Sequence, residues 1–181
     1  MTEIKRRRID QIQDSDFLQD LEGMPHDVLR ARRAMCDDLD LEYSYYRRML
    51  HGRMDLLAFE LRRRAGDEDQ TLLEALPRIL AGGAYYSTAR PPNHAVSVEA
   101  PDLPTSGHRL IDRALQSDFL ARLGDFSDEE LLETQRFLVE LEPEVSMHRR
   151  LVHAAHDRLE AELTRRYREG LADPGESLVR E

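Results

Sequence analysis

The chain has 181 residues, 34% of them charged, with a net charge of −10, one cysteine and no tryptophan. That length fits one domain, or one domain with a long insertion, and the composition fits long, partly exposed helices better than a thick globular core. The lone Cys36 excludes a disulfide framework and fits a reducing cytosol. An acidic balance argues against a general nucleic-acid binder, which needs Lys and Arg to neutralise phosphates, and suits a protein that lies against a basic partner. The first twenty residues hold no apolar secretory core and no run approaches membrane-spanning length, so a cytoplasmic protein is expected.

In chain order, "KRRR" at 5–8 reads as a solvated tail, because acidic residues follow at once. "SDFLQDL" opens a short helix, with Ser and Asp suited to its N-cap. A long helix then starts near Pro25 and stops at Gly66. "DEDQTLLEALPRILAGG" predicts one short helix ending at Gly82 and Gly83, and "RPPNHAVSVEAPDLPTSGH" a flexible connection. "SDFLARL" opens another short helix. In "FSDEELLE", Ser127 and Glu130 are spaced as a capping box for a second long helix, from about 128 to 168, that ends before Gly170 and Pro174. Pro143 lies inside it and is expected to kink or weaken it. Each long helix would measure roughly 60 Å at 1.5 Å per residue.

The chain is a duplication. "SDFL" at 15–18 recurs at 117–120, an ungapped offset of 102 residues. In the same register Leu39 meets Leu141, Arg47-Arg48 meet Arg149-Arg150, Leu57 meets Leu159, Glu60-Leu61 meet Glu162-Leu163, and Arg63-Arg64 meet Arg165-Arg166. The copies span 12–66 and 114–168, joined by 67–113 within one helical domain, 1–181. Leu131, Leu138, Val145, Val152 and Leu159 recur every seven residues, as do Leu29, Cys36, Tyr43, Leu50 and Leu57. A sustained heptad on two helices predicts an all-α fold in which they pair as an intramolecular coiled coil, with shorter flanking and connecting helices.

Beside each apolar line runs a polar one. Asp40, Ser44, Arg47, His51 and Asp55 stand at the same spacings as Glu142, Ser146, Arg149, His153 and Asp157. At 100° per residue each set falls within about 80° of the helix circumference, a stripe roughly 22 Å long beside the apolar seam. The bland explanation is polar flanks that steer helix pairing; Ser and His kept in both copies argue against it. Metal binding by the His51–Asp55 and His153–Asp157 pairs is opposed by an arginine one turn away. Catalysis lacks a nucleophile with its base, a phosphate loop or a buried carboxylate pair. Guanine recognition fits better: Arg offers a planar fork to O6 and N7, and a carboxylate accepts from N1–H and the exocyclic amine.

These two polar lines on a helical hairpin resemble the pattern Glu-x3-Ser-x2-Arg-x3-Gln-x3-Asp, present twice, of the RsiG-type anti-sigma factors of actinobacteria. That resemblance implies an antiparallel coiled coil whose two motifs face each other and grip a dimer of cyclic di-GMP, two molecules in all. It implies ligand contacts from Asp40, Ser44, Arg47, His51 and Asp55, and from Glu142, Ser146, Arg149, His153 and Asp157. It also implies a sporulation sigma factor of the WhiG type as partner, one copy of each protein in the complex, with no catalysis, no metal, no other cofactor and no direct contact with DNA. Two positions depart from the pattern: Asp40 replaces Glu, and both copies carry His in place of Gln. Neutral imidazole still supplies one donor and one acceptor. A ligand-free coiled-coil adaptor is the alternative, a metal-binding bundle a more distant one.

Overall fold

A computed structural model describes residues 7–80 and 109–172. The expected end of the connecting helix at Gly82 and Gly83, and the Pro-rich connection after it, lie outside the described residues. Six α-helices appear among the described residues: α1 (Arg8–Gln13), α2 (His26–Ala65), α3 (Leu72–Leu80), α4 (Leu110–Ala114), α5 (Phe119–Arg122) and α6 (Asp128–Arg168), with a 3-10 turn at Ser15–Leu18. No strand occurs among them. The fold is all-α, and the two long helices α2 and α6 pack against each other.

Local chemistry sets the ends of the long helices. The amide of Ser127 donates to Glu130 Oε2 at 2.7 Å and the Glu130 amide to Ser127 Oγ at 3.2 Å, a reciprocal cap for α6. Asp128, Glu129 and Glu130 in the first turn, and Arg165, Arg166 and Arg168 in the last, complement the helix dipole. Both C-termini turn on a glycine in the left-handed region, Gly66 at φ 84° and Gly170 at φ 70°. Beyond each, the next amide reaches back to close the turn, Asp67 to the carbonyl of Arg62 and Leu171 to that of Arg166, both at 2.9 Å. Pro143 sits within α6, and helix is continuous on both sides of it.

Contacts divide the chain into two compact units, Met1–Tyr43 with Met147–Glu181, and Ser44–Ser146. The units are not the two sequence copies, because each takes one part of α2 and one part of α6. In unit 1, α2 and α6 run antiparallel: Arg33 pairs with Glu160 at 2.7 Å and His156 with Asp37 at 3.2 Å. Its core holds Leu29, Cys36, Leu39, Val152, Leu159 and Leu163, with Ile9, Ile12 and Phe17 brought in by α1 and the 3-10 turn. Burial, then the charge of Asp37, pushes the Cys36 thiol up to about 11, so it packs as an inert apolar group. In unit 2 the helices are also antiparallel, with Arg64 bound to Asp128 at 2.9 Å. There Leu50, Leu57, Leu131, Leu138 and Val145 form the seam. Of the ten heptad residues only Tyr43 stays half-exposed, its ring tilted against that of His148 at 5.3 Å.

The repeated Glu-x-x-Arg-Arg has a structural job in each unit. In unit 1, Glu162 accepts two bonds from Arg165 and one from Arg166 Nε. Arg166 Nη2 then holds the carbonyls of Leu21, Glu22 and Met24 at 2.8, 3.1 and 2.7 Å. In unit 2, Glu60 accepts from Arg63 and Arg64, and Arg64 reaches the carbonyls of Phe126 and Gly124 at 2.6 and 3.3 Å. Each clamp fastens the turn that precedes one long helix to the last turns of the other, satisfying carbonyls that helical bonding leaves open.

Arg7 and Arg8, the described part of the basic stretch near the start, depart from the expected tail. Arg7 caps α1 through Asp10, and Arg8 reaches the buried Glu42 at 2.9 Å. A carboxylate sequestered beside the seam supplies the attraction that solvent would otherwise have won. The same cap recurs at Arg109 with Asp112, ahead of α4. Arg7, Ile9 and Asp10 thus correspond to Arg109, Ile111 and Asp112, and the likeness of the copies begins upstream of residues 12 and 114.

Candidate functional site

Within each unit, the antiparallel register sets the opening carboxylate of one motif against the arginine and histidine of the other. In unit 1, Asp40 Oδ1 on α2 lies 2.6 Å from His153 Nε2 and 3.4 Å from Arg149 Nε, both on α6. In unit 2, Glu142 Oε1 on α6 lies 3.3 Å from Arg47 Nε and 3.1 Å from His51 Nε2, both on α2. Ser146 Oγ donates to the same oxygen at 2.5 Å and accepts from Arg47 Nε at 3.2 Å. Since an ionised carboxylate only accepts, the histidine Nε2 carries the donated proton in both clusters.

The clusters share a carboxylate, an arginine and a histidine but differ in depth. The arginine side chains are equally exposed, 36% in each. The histidines are not: His51 is buried, whereas His153 is 46% exposed. Burial would raise the pKa of Glu142, but hydrogen bonds from Ser146 and His51 and the charges of His51 and Arg47 outweigh it and hold the carboxyl below its usual range.

At least seven of the ten expected residues therefore gather into two carboxylate-centred clusters. Ser44 is half-buried on α2 beyond the unit 1 cluster in sequence. Asp157 projects into solvent and meets His156 Nδ1 at 3.5 Å. Asp55 is buried at 8% exposure, with Oδ2 lacking any hydrogen-bond partner, and burial raises its pKa. From Leu50 to Glu60 every residue of α2 except Gly52 and Ala58 is buried, so its stripe sinks into unit 2 as it proceeds.

Sequence reasoning overlooked the rung next to the unit 1 cluster, where Asp37 meets His156 at 3.2 Å. In the other copy these positions are Val139 and Met54, so repetition does not mark them. Spacing holds the available signal: Asp37 lies three residues before Asp40 and His156 three after His153, one helical turn along the same faces. No group of three or more His, Cys, Asp or Glu side chains able to hold a metal occurs among the described residues. No helix among them is long and apolar enough to cross a membrane.

Paired long helices carrying repeated carboxylate–arginine–histidine clusters define an all-helical protein with a duplicated polar site. The family model described as RsiG-like matches residues 15–80 and 117–181, most of the chain, and the chain belongs to that family. The two matched segments begin at the two SDFL stretches. Membership brings with it a sigma factor as the general kind of partner. No curated protein matches the chain.

Proposed function

We propose that this protein is a cyclic di-GMP-responsive anti-sigma factor that sequesters a sporulation sigma factor of the WhiG type. The observation that carries the reading is the pairing, found in each unit, of a carboxylate from one long helix with an arginine and a histidine from the other. Guanine presents acceptors at O6 and N7 and donors at N1 and N2, which is the complement of that set. Arg47 and Arg149 read the acceptor edge of a guanine. Asp40 and Glu142 accept from its donor edge, while Ser44, Ser146, His51 and His153 serve phosphate and ribose oxygens.

Two molecules of the nucleotide bind as a dimer, each stacked base giving the other an apolar cover. The protein acts by binding and carries out no chemistry on its ligand. An acidic chain suits a basic, DNA-binding partner through charge complementarity. The complex is cytoplasmic, with one copy of each protein, and includes no direct contact between this chain and DNA.

Calorimetric titration with cyclic di-GMP, with and without the sigma factor, tests the reading. Arg47→Ala with Arg149→Ala should abolish nucleotide binding and leave helicity intact. A parent protein that takes up no nucleotide in either titration would leave the ligand-free adaptor standing instead.

A further inference from the structure

The stretch of α6 that belongs to unit 2, residues 128–146, carries seven carboxylates and a single cation, Arg136. Its sequence repeats a two-residue step: Leu132-Glu133, Val139-Glu140 and Pro143-Glu144. At 100° per residue, Leu132, Val139 and Pro143 fall within about 40° of one another, a line roughly 16 Å long. The three glutamates make a parallel row about 100° away. All six residues are exposed, Leu132 at 43% and Val139 at 49%. Single exposed apolar side chains are ordinary on a protein surface. An aligned apolar row with a charged row beside it is a second amphipathic face, on a helix whose seam is already buried.

This face offers acceptors almost alone. Among the described residues Glu133, Glu140 and Glu144 form no hydrogen bond or ion pair. Pro143 has no amide hydrogen, so the carbonyl of Val139, four residues earlier, lacks its helical donor. The first copy differs at each point. Arg30 and Asp37 stand where Leu132 and Val139 do, and Leu41, in the place of Pro143, keeps its amide. Glu42, the counterpart of Glu144, is buried and bound to Arg8.

Charge decides between occupants. Seven carboxylates to one arginine repel nucleic acid, an anionic membrane and the same face of a second copy. Residues 81–108 hold one arginine against two carboxylates, so charge does not draw that stretch here either. A straight apolar line of three turns suits another helix lying along it, and the acceptors beside it call for lysines and arginines.

We propose that this face of α6 docks a basic amphipathic helix of a partner protein. The apolar side chains of that helix seat along Leu132, Val139 and Pro143, and its cations meet Glu133, Glu140 and Glu144. Neither row includes a residue of the two repeated polar motifs, so uptake of cyclic di-GMP by the variants below reports on the proposed function separately.

The test is a methyl NMR titration of the full chain, following Leu132 and Val139. Probes are three capped peptides of roughly 18 residues, long enough for helix to persist. One pairs a leucine face with a lysine face, one leucine with glutamate, and one serine with lysine. The leucine–lysine peptide should bind roughly tenfold more tightly than either control, or about 1.4 kcal/mol, and should shift both methyl sets. Leu132→Arg with Val139→Asp, which imports the residues of the first copy at exposed positions, should remove that preference. Glu133→Lys with Glu140→Lys and Glu144→Lys should turn it toward the leucine–glutamate peptide. Equal binding of either control overturns the proposal, as does binding that leaves the Leu132 and Val139 methyls unmoved or an unaltered preference in either variant. Methyl shifts that follow the concentration of the chain alone would make the occupant a second copy and overturn it. Cross-relaxation of those methyls with residues 81–108 in the free chain would assign the face to that stretch, with the same result.

Discussion

His153 Nε2 lies 2.6 Å from Asp40 Oδ1, so a histidine of the second copy holds the opening carboxylate of the first. The side chains are 46% and 42% exposed, and water competes for both partners. On the proposed function, Asp40→Asn weakens cyclic di-GMP by tenfold or more, about 1.5–3 kcal/mol for a hydrogen bond to a charged group. Its effect on folding should stay within about 0.5 kcal/mol. Glu142→Gln behaves differently, because a 22% exposed carboxylate there accepts from Arg47, His51 and Ser146. It should lower stability by about 1–3 kcal/mol as well as affinity. Calorimetry and thermal melts of the two variants side by side separate these outcomes.

Asp55 gives a prediction with the opposite sign. Burial raises its pKa above 3.8, so the folded state holds this proton more tightly than the unfolded chain. Stability therefore falls as pH rises from 3.8 through the raised folded value, and the penalty persists at neutrality. Asp55→Asn should stabilise the neutral protein by on the order of 1 kcal/mol. The gain should vanish at pH below 3.8. If the residue contacts nucleotide, as the family resemblance implies, the stabler variant binds less, a trade common at functional sites. Melting curves against pH, paired with one titration, measure both.

The clamp in unit 1 should govern acid stability. Hydrogen bonds from Arg165 foremost, then from Arg166, with the charges of both, overcome burial and hold Glu162 at about 2 against an ordinary 4.5. Its stabilisation is complete above 4.5 and is lost as pH falls toward about 2. Glu162→Gln strands Arg166 without its carboxylate and should cost about 3 kcal/mol at neutral pH. The variant should also lack that portion of the acid-induced loss, visible in denaturant melts at pH 7 and pH 3.

A smaller effect is expected at the start of α6. Ser127→Ala removes the side-chain acceptor of the Glu130 amide and should cost about 1 kcal/mol. Amide exchange should quicken in the first turn of α6 and stay unchanged in its last.

Periodicity made much of this architecture readable, since nine of the ten heptad positions are buried and the limits of both long helices fall where Pro25, Gly66, Ser127 and Gly170 place them. The stripes were readable too, as angles on a cylinder. Angles on one helix do not say which residue of the other it meets, so the pairing of Asp40 with His153 had to come from the antiparallel register. Burial of Asp55 was invisible because the rest of unit 2 covers α2 over more of its circumference than a two-helix seam would. The Arg64 and Arg166 clamps were half legible: repetition marked the arginines, but their acceptors are main-chain carbonyls, which carry no residue signature.

Each long helix donates one stretch to both compact units, and this has a consequence for how the polypeptide can be divided. A cut anywhere between residues 81 and 108 yields two fragments, neither of which owns a whole unit. Each piece alone is a strip of zip without its opposing teeth. Mixed together, they can rebuild both halves of the molecule, so the amount of folded protein would track how often the fragments meet.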